Sequence, residues 1–183
     1  EIFNNTVAHV GKWGIHMNEP RNNKVHDNVL YNCTGSGIDI SNQYHLEVSA
    51  SGNIISTNTI VQGASPELMV TLSDARTYNV GAFGTSDKNV FIIGSDGLKI
   101  FKTQVSQPSF KLTSYDLASW KAFSSQELSS QLKVVDLTAV KVEYNATNAP
   151  VTVSLSSPMI DSKGVKYSKS VILPAYSSVV LIK

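Results

Sequence analysis

The chain has 183 residues, of which 42% are hydrophobic and 16% are charged, and its formal net charge is +1. This length suits one medium domain or two small ones, and the apolar content is enough for a packed core. The nearly neutral charge argues against a nucleic-acid partner, which needs a clustered basic face. No apolar run approaches the roughly 20 residues that span a bilayer, so we also expect no membrane span.

A repeated pattern runs through the first part of the chain. Asn5–Val7 and Gly14–Met17 reappear in related form as Asn28–Leu30 and Gly37–Ile40, in both cases after 23 residues. Short β runs separated by Asn and Gly turns at a fixed period are typical of a solenoid, in which each coil buries its apolar face on the next. Residues 1–95 are therefore predicted to form parallel β-helix coils.

Asparagines recur at one position of the pattern, as Asn5, Asn28 and Asn58. Asn tolerates the left-handed backbone of a bend, and Asn side chains stacked from coil to coil can form a hydrogen-bonded ladder. We interpret these residues as structural. The last spacing is 30 residues rather than 23, so an outward loop is expected within residues 41–51, on the face where solenoids often bind ligands.

The pattern weakens after the third coil. Leu68–Leu72, close behind Pro66, is predicted to be an irregular final coil, and Asp74–Val80 to be a short strand. Residues 96–133 are predicted to be a transitional segment that contains a short helix near 116–123.

That helix prediction depends on its cap and on one apolar face. Ser114 or Asp116 can accept hydrogen bonds at the N-terminus. Leu117, Trp120 and Phe123 recur at helical spacing. Trp120 is therefore expected to anchor the helix on the core.

The hydrophobic pattern of the sequence changes again near the C-terminus. Val140–Tyr144, Val151–Leu155, Ser170–Leu173 and Val179–Ile182 alternate or are wholly apolar, with turns between them. Short strands with regular turns predict a small antiparallel β-sandwich over residues 134–183. We expect it to dock on the open end of the coils, where it would protect unpaired strand edges.

Two stretches carry a family resemblance. Asn23–Asn32, followed by Gly35–Ile40, resembles the right-handed parallel β-helix proteins of the pectate-lyase-like superfamily. The tail, with Tyr115–Phe123 and Leu173–Leu181, is similar to that of bacterial secreted β-helix proteins of the polysaccharide-degrading type. The resemblance implies an all-β fold, namely the last coils of a right-handed parallel β-helix followed by a small antiparallel β-sandwich. It implies no single reaction, since this fold hosts lyases, hydrolases, epimerases and adhesins.

One pair of residues is the candidate catalytic site. Alternation in Gly14–Met17 and Gly37–Ile40 places His16 and Asp39 on the outer face of adjacent strands. Such strands lie about 4.8 Å apart, so the two side chains can touch. An acid and a base in an elongated groove suit the cleavage of an extended polysaccharide, and the resemblance implies active sites in that groove. The simpler interpretation is a cross-strand pair that contributes about 0.2–1 kcal/mol.

Six further residues flank this pair or lie on the inserted loop, and are candidates for substrate binding: Lys12, Trp13, Glu19, Arg21, Tyr44 and His45. Cations suit a uronate carboxylate, as β-elimination requires. Paired carboxylates instead suit glycoside hydrolysis, and aromatic rings suit sugar stacking. Each residue is also compatible with a solvated loop.

No metal site or cofactor is expected, because no Cys/His metal spacing and no phosphate-binding Gly loop occurs. The single cysteine, Cys33, excludes an internal disulfide and is expected to be a small buried hydrophobe.

These observations lead to one main hypothesis and two alternatives. The chain is expected to be the C-terminal portion of a secreted or cell-surface carbohydrate-active enzyme, a glycoside hydrolase or a polysaccharide lyase, in the extracellular space or periplasm. Its partners would be an extended polysaccharide substrate and the remaining N-terminal coils of the same protein. The alternatives are a non-catalytic glycan-binding or surface-adhesion module, and a purely structural cap.

Overall fold

The structure, a computed structural model, describes residues 1–42, 50–73, 83–105 and 109–183. In these ranges the chain is mostly β, with one short α-helix, so the expected all-β class is confirmed. In chain order the strands up to residue 134 are β1 (Ile2–Phe3), β2 (Thr6–Ala8), β3 (Ile15–Asn18), β4 (Lys24–His26), β5 (Val29–Tyr31), β6 (Ile38–Asn42), β7 (Asn53–Ser56), β8 (Thr59–Val61), β9 (Met69–Ser73), β10 (Gly84–Asp87), β11 (Val90–Ile93), β12 (Phe101–Val105), β13 (Lys111–Tyr115) and β14 (Gln131–Val134).

These strands form three sheets. Sheet 1 has the order β1-β4-β7-β10, sheet 2 the order β14-β11-β8-β5-β2, and sheet 3 the order β13-β12-β9-β6-β3. Neighbouring strands are parallel, except that β13 runs antiparallel to β12. Up to β12 the chain therefore visits sheets 1, 2 and 3 in turn, and each such group of three strands is one repeat.

Inward side chains of the three sheets share one apolar cluster. Val25 of sheet 1, Leu30 of sheet 2 and Ile38 of sheet 3 are each fully buried in it. Cys33 belongs to the same cluster, and burial raises the pKa of its thiol to about 11. Each repeat thus adds one layer to a continuous core, as stacked repeats require.

The glycines of the repeated sequence pattern are required for this stacking. A Cβ atom at Gly37 would lie 2.4 Å from Cγ2 of Ile60, and one at Gly14 would lie 2.7 Å from the carbonyl oxygen of Gly37. Both glycines directly precede a strand of sheet 3, so their close approach sets the register that aligns His16 with Asp39.

Parallel pairing continues further along the chain than the repeat suggests. β9 pairs in register with both β6 and β12, so the prediction of an irregular final coil at Leu68–Leu72 is wrong. Beyond residue 95, β12 and β14 extend sheets 3 and 2. The strand predicted at Asp74–Val80 lies outside the described residues.

A ladder of asparagines lines the corner between sheets 1 and 2. Nδ2 of each donates to Oδ1 of the next, at 3.1 Å from Asn5 to Asn28, 2.9 Å from Asn28 to Asn58 and 3.1 Å from Asn58 to Asn89. The ladder predicted for the first three residues is therefore present, and Asn89 extends it. The residue before each asparagine has a left-handed backbone: Asn4, Asp27, Thr57 and Lys88.

The ladder ends on a buried carboxylate. Asn89 Nδ2 donates to the two carboxylate oxygens of Glu127, at 3.2 and 3.1 Å, and the hydroxyls of Ser86 and Ser130 also donate to it. Glu127 is fully buried. Burial raises the pKa of its carboxyl, although the hydrogen bonds act in the opposite direction. A run of amides that all donate in one direction needs an acceptor at its end, and Glu127 supplies it.

Glu127 is expected to make the protein less stable as the pH rises. A carboxyl whose pKa is higher in the folded chain than in the unfolded chain stabilises the folded state. This contribution is complete at a pH low enough for the carboxyl to be protonated in both states. That contribution is lost as the pH rises from the unfolded pKa, about 4.3, through the folded pKa. We therefore expect Glu127→Gln to gain stability relative to the wild type as the pH rises above about 4.3, as measured by urea unfolding at a series of pH values.

Asp136→Asn is the matched control. Hydrogen bonds from Thr138 lower the pKa of the Asp136 carboxyl, so this group is ionised in both states over the same pH range. Its effect on stability should not change with pH. If the difference in free energy of unfolding between Glu127→Gln and the wild type also stayed the same at every pH, that result would contradict the raised pKa of Glu127.

The α-helix covers one end of the shared core. It spans Leu117–Ser124, and Asp116 caps it by accepting a hydrogen bond from the backbone N–H of Ser119 at 2.8 Å. Trp120 is 1% exposed and stacks on Phe101, with ring centroids 5.0 Å apart. Phe101 lies on the last parallel strand of sheet 3, so Trp120 closes the apolar cluster there, and its predicted role as an anchor is confirmed.

The C-terminal residues form two antiparallel sheets. A 3-10 turn at Leu137–Ala139 is followed by β15 (Val140–Asn145), β16 (Val151–Ser154), β17 (Met159–Asp161), β18 (Lys166–Tyr167), β19 (Ser170–Leu173) and β20 (Ser177–Ile182). Sheet 4 has the order β15-β20-β17-β18 and sheet 5 pairs β16 with β19. The two sheets share a small cluster that includes Met159, Val171 and Leu181.

Sheet 4 lies against the outer face of sheet 2, so the docking position predicted for residues 134–183, on the open end of the coils, is wrong. Tyr31, Val61 and Ile92 point outward from sheet 2 and share an apolar cluster with Val140 and Val180. Sheet 2 is thus apolar on both faces, as expected of strands whose sequences are continuous apolar runs.

Candidate functional site

The two candidate catalytic residues lie side by side on the outer face of sheet 3. Ile15 and Met17 of β3 are buried in the shared core, which leaves His16 on the opposite face. His16 pairs in register with Asp39 of β6. Nδ1 of His16 lies 2.7 Å from Oδ1 of Asp39, so the predicted contact is present.

The two side chains differ sharply in exposure. The His16 side chain is 32% exposed and the Asp39 side chain is 2% exposed. Burial raises the pKa of the Asp39 carboxyl, while the hydrogen bond with His16 and the charges of His16 and Lys12 act in the opposite direction. Asp39 is thus placed to orient the imidazole through Nδ1, and Nε2 is the ring nitrogen left to exchange a proton with a ligand.

The Trp13 ring packs on the imidazole of His16, and Lys12 in turn contacts the Trp13 ring. The Trp13 ring stacks on His16, with centroids 4.2 Å apart and an interplanar angle of 17°. Nζ of Lys12 lies 3.7 Å from the Trp13 ring centroid. Because two groups at these distances cannot share one face of the ring, Trp13 lies between Lys12 and His16. In this arrangement Trp13 fixes the orientation of His16, and Lys12 covers the other face of the Trp13 ring.

A depression of about 210 Å³ opens beside the pair. Its lining includes Trp13, Ser36, Asp39, Glu67, Lys102 and Gln104. Ser36 is 3% exposed, and its hydroxyl has no hydrogen-bond partner among the described residues.

An ion pair forms the far wall of the depression. Nζ of Lys102 lies 3.3 Å from Oε1 of Glu67. Burial opposes the ionisation of Glu67, but the hydrogen bond from Ser65 and the Lys102 charge together lower the pKa of its carboxyl. The depression is therefore bounded by two carboxyl groups and a lysine, a set able to bind and polarise a charged or hydroxyl-rich ligand.

The other predicted substrate-binding residues are not brought to this depression. Glu19 occupies a left-handed turn position, where its backbone N–H donates to the carbonyl oxygen of Ser41 at 2.7 Å. Arg21 is exposed and pairs with Ser51 in an isolated bridge. Tyr44 and His45 lie outside the described residues.

Sequence reasoning missed Ser36, Glu67 and Lys102. Lys102 belongs to the same row of sheet 3 as His16 and Asp39. The sequence pattern that could have identified Lys102 is the alternation in β12, where Lys102 lies between the buried residues Phe101 and Thr103. Glu67 carries no such pattern, because it lies in the turn before β9.

Two general searches of the described residues gave negative results. No group of three or more His, Cys, Asp or Glu side chains in the described ranges is arranged to hold a metal ion. The eight-residue helix is too short to cross a membrane, and the described part of the chain has no helix that could.

Comparison with known proteins returned no relative. No protein-family model, no curated protein and no solved structure matches the chain significantly. The geometry of sheet 3 is therefore the evidence on which a functional assignment can be based.

Proposed function

We propose that the chain is part of a right-handed parallel β-helix protein of the pectate-lyase-like superfamily and carries a small antiparallel β-sandwich after the coils. Three parallel sheets visited in turn, a continuous core and a corner ladder of asparagines support the β-helix. The two antiparallel sheets that share an apolar cluster support the sandwich. The resemblance in sequence further suggests a secreted or cell-surface protein.

The proposed activity is the cleavage of an extended polysaccharide, by a lyase or a glycoside hydrolase reaction. One observation carries it: a histidine whose side chain is 32% exposed is hydrogen-bonded at 2.7 Å to a buried aspartate, and that aspartate lines an open depression. His16 would accept or donate a proton through Nε2, and Asp39 would hold its ring and stabilise the imidazolium form. Asp39 is then a positioning residue.

The charges near the pair favour an acidic sugar. Lys12 acts on Asp39 electrostatically, and Lys102 lines the same depression. Either ammonium would stabilise the carboxylate of a uronate, which gains charge when the adjacent C–H proton is removed in β-elimination. Hydrolysis would instead require two carboxyl groups across the scissile bond. Asp39 and Glu67 are the available pair, but each is already hydrogen-bonded within the protein.

His16→Ala is expected to lower turnover of a uronate polysaccharide by about 100-fold, the lower end of the effect of losing a general acid or base. The assay is absorbance at the unsaturated-uronate band, with reducing ends counted in parallel. Absorbance identifies a lyase, and reducing ends without absorbance identify a hydrolase. Asp39→Asn should also lower turnover and change its pH profile, because the amide alters the ring orientation.

His9→Ala is the matched control, since His9 is an exposed histidine whose ring contacts the amide of Asn32 in place of a carboxylate. It should leave turnover unchanged. Full turnover by His16→Ala, at an unchanged unfolding midpoint, would exclude the catalytic role.

A non-catalytic glycan-binding or surface-adhesion module is the second candidate. The near-complete burial of Asp39 and the confinement of Trp13 between two side chains favour it, because both features also describe a rigid structural pair. Binding of polysaccharide without any new reducing end or absorbance would support this candidate.

A further inference from the structure

A second cleft, of about 490 Å³, lies on another side of the molecule. One wall is the corner between sheets 1 and 2, where Asn4, Asp27 and Thr57 follow one another in successive repeats. The other wall consists of turns of sheets 4 and 5 and includes Lys163 and Tyr176. Its volume falls within the range of about 300–1,000 Å³ that is typical of ligand pockets.

The walls are held in place by direct contacts. The hydroxyls of Thr6 and Ser178 are hydrogen-bonded, and those of Thr59 and Ser162 lie 3.3 Å apart. Nζ of Lys133 on sheet 2 also donates to the carbonyl oxygen of Ser162 at 2.6 Å. Together with the apolar cluster between sheets 2 and 4, these bonds make the cleft a preformed feature, as most small-ligand sites are.

Tyr176 combines two features at the rim of the cleft. The backbone of Tyr176 is left-handed, with φ of 50°, and the residue as a whole is 69% exposed. A bulky residue in this conformation is an outlier, and the strain is of the order of 1–3 kcal/mol. Glycine or asparagine would form the same turn with less strain. This turn, held by a hydrogen bond from the Tyr176 N–H to the carbonyl oxygen of Thr147, presents an aromatic ring at the cleft, where it can contact a ligand.

The cleft is lined by two carboxyl groups, of Asp27 and Asp161, and by one lysine, Lys163, so it carries a small net negative charge. Asp27 faces Lys163 across it, and hydrogen bonds from His26 lower the pKa of the Asp27 carboxyl, so an ionised acceptor is present. The amide of Asn4 and the hydroxyl of Thr57 add neutral donors and acceptors. Asp161 already accepts hydrogen bonds from the backbone N–H groups of Lys163 and Val165, and the net negative lining disfavours an anionic ligand. The lining offers directional hydrogen bonds beside an exposed ring.

We infer that this cleft binds a neutral oligosaccharide, at a site separate from the His16–Asp39 pair. Sugar hydroxyls pair with the Asp27 carboxylate and the Asn4 amide, while the apolar face of a sugar ring packs on Tyr176. The inference does not depend on the proposed catalytic activity, because such a cleft would serve either an enzyme or a binding module.

The test measures the affinity of the protein for four neutral hexasaccharides, based on cellulose, xylan, mannan and amylose, by calorimetric titration. Tyr176→Asn removes the ring while asparagine tolerates the left-handed backbone. It is expected to weaken the binding of at least one hexasaccharide by about 10-fold, a factor equivalent to about 1.4 kcal/mol. Asp27→Asn should weaken the same ligand.

Tyr144→Thr is the matched control, since Tyr144 is 68% exposed on β15 and does not line the cleft. It should leave the affinity unchanged. Absence of binding to all four sugars, or equal losses in Tyr144→Thr and Tyr176→Asn, would overturn the inference. Turnover of a uronate polymer, which depends on His16, reports separately on the proposed function.

Discussion

Trp120→Ala is expected to lower the free energy of unfolding by about 3–5 kcal/mol, the usual range for removing a fully buried aromatic ring. Trp120 is 1% exposed and contacts Phe101 and Tyr115, with ring centroids 5.0 and 5.5 Å away. Its Nε1 has no hydrogen-bond partner among the described residues. The loss therefore comes from apolar packing, and Trp120→Phe should lose much less than Trp120→Ala.

Phe123→Ala is the control on the same helix. Phe123 is 47% exposed and stacks on Tyr115 at 4.9 Å, so its removal should lower stability by only about 1 kcal/mol, the value of an exposed aromatic pair. Urea unfolding followed by far-ultraviolet circular dichroism measures each free energy. Equal losses for Trp120→Ala and Phe123→Ala would mean that the helix does not close the core.

The repeat in the sequence predicted much of the parallel part because the physical requirements of stacking are local. Each corner needs a left-handed residue followed by a side chain that bonds across repeats, and Asn5, Asn28 and Asn58 supply that side chain directly after a left-handed residue. The first two approaches to sheet 3 need a residue without a side chain, at Gly14 and Gly37. These constraints leave a signature within one repeat length.

The position of the C-terminal sheets had no such signature. Docking depends on which surface offers a complementary apolar face, and that surface is assembled from several repeats of sheet 2. The pattern was nevertheless visible in principle, because Val29–Tyr31, Thr59–Val61 and Val90–Ile93 are almost wholly apolar where an outward residue would otherwise be polar. Such runs indicate strands covered on both faces.

In the candidate site, too, some features could be predicted from the repeat and others could not. The contact between His16 and Asp39 could be predicted, because equivalent positions of adjacent repeats must be neighbours. The depth of Asp39 and the confinement of Trp13 could not, because both depend on how side chains from different elements pack around the pair.

Asn58→Ala is expected to lower the free energy of unfolding by about 2–4 kcal/mol, because it leaves buried partners unsatisfied. Asn58 is fully buried. Its Oδ1 accepts from the backbone N–H and Nδ2 of Asn28, and its Nδ2 donates to Oδ1 of Asn89 and to the carbonyl oxygen of Val25. Asn28 Nδ2 has other acceptors, so the backbone N–H of Asn28 and the carbonyl of Val25 are the groups that lose most.

Asn5→Ala and Asn58→Asp separate the hydrogen-bond argument from simple loss of volume. Asn5 is exposed at the first position of the ladder and donates onward without accepting from an earlier asparagine, so its removal should lower stability by less than about 1 kcal/mol. Asn58→Asp keeps the size and the acceptor but turns a second carboxylate oxygen toward Oδ1 of Asn89. Because the ladder needs a donor at that atom, Asn58→Asp should be at least as damaging as Asn58→Ala at neutral pH. Wild-type stability in Asn58→Asp, measured by the same urea unfolding, would show that the direction of the ladder does not matter.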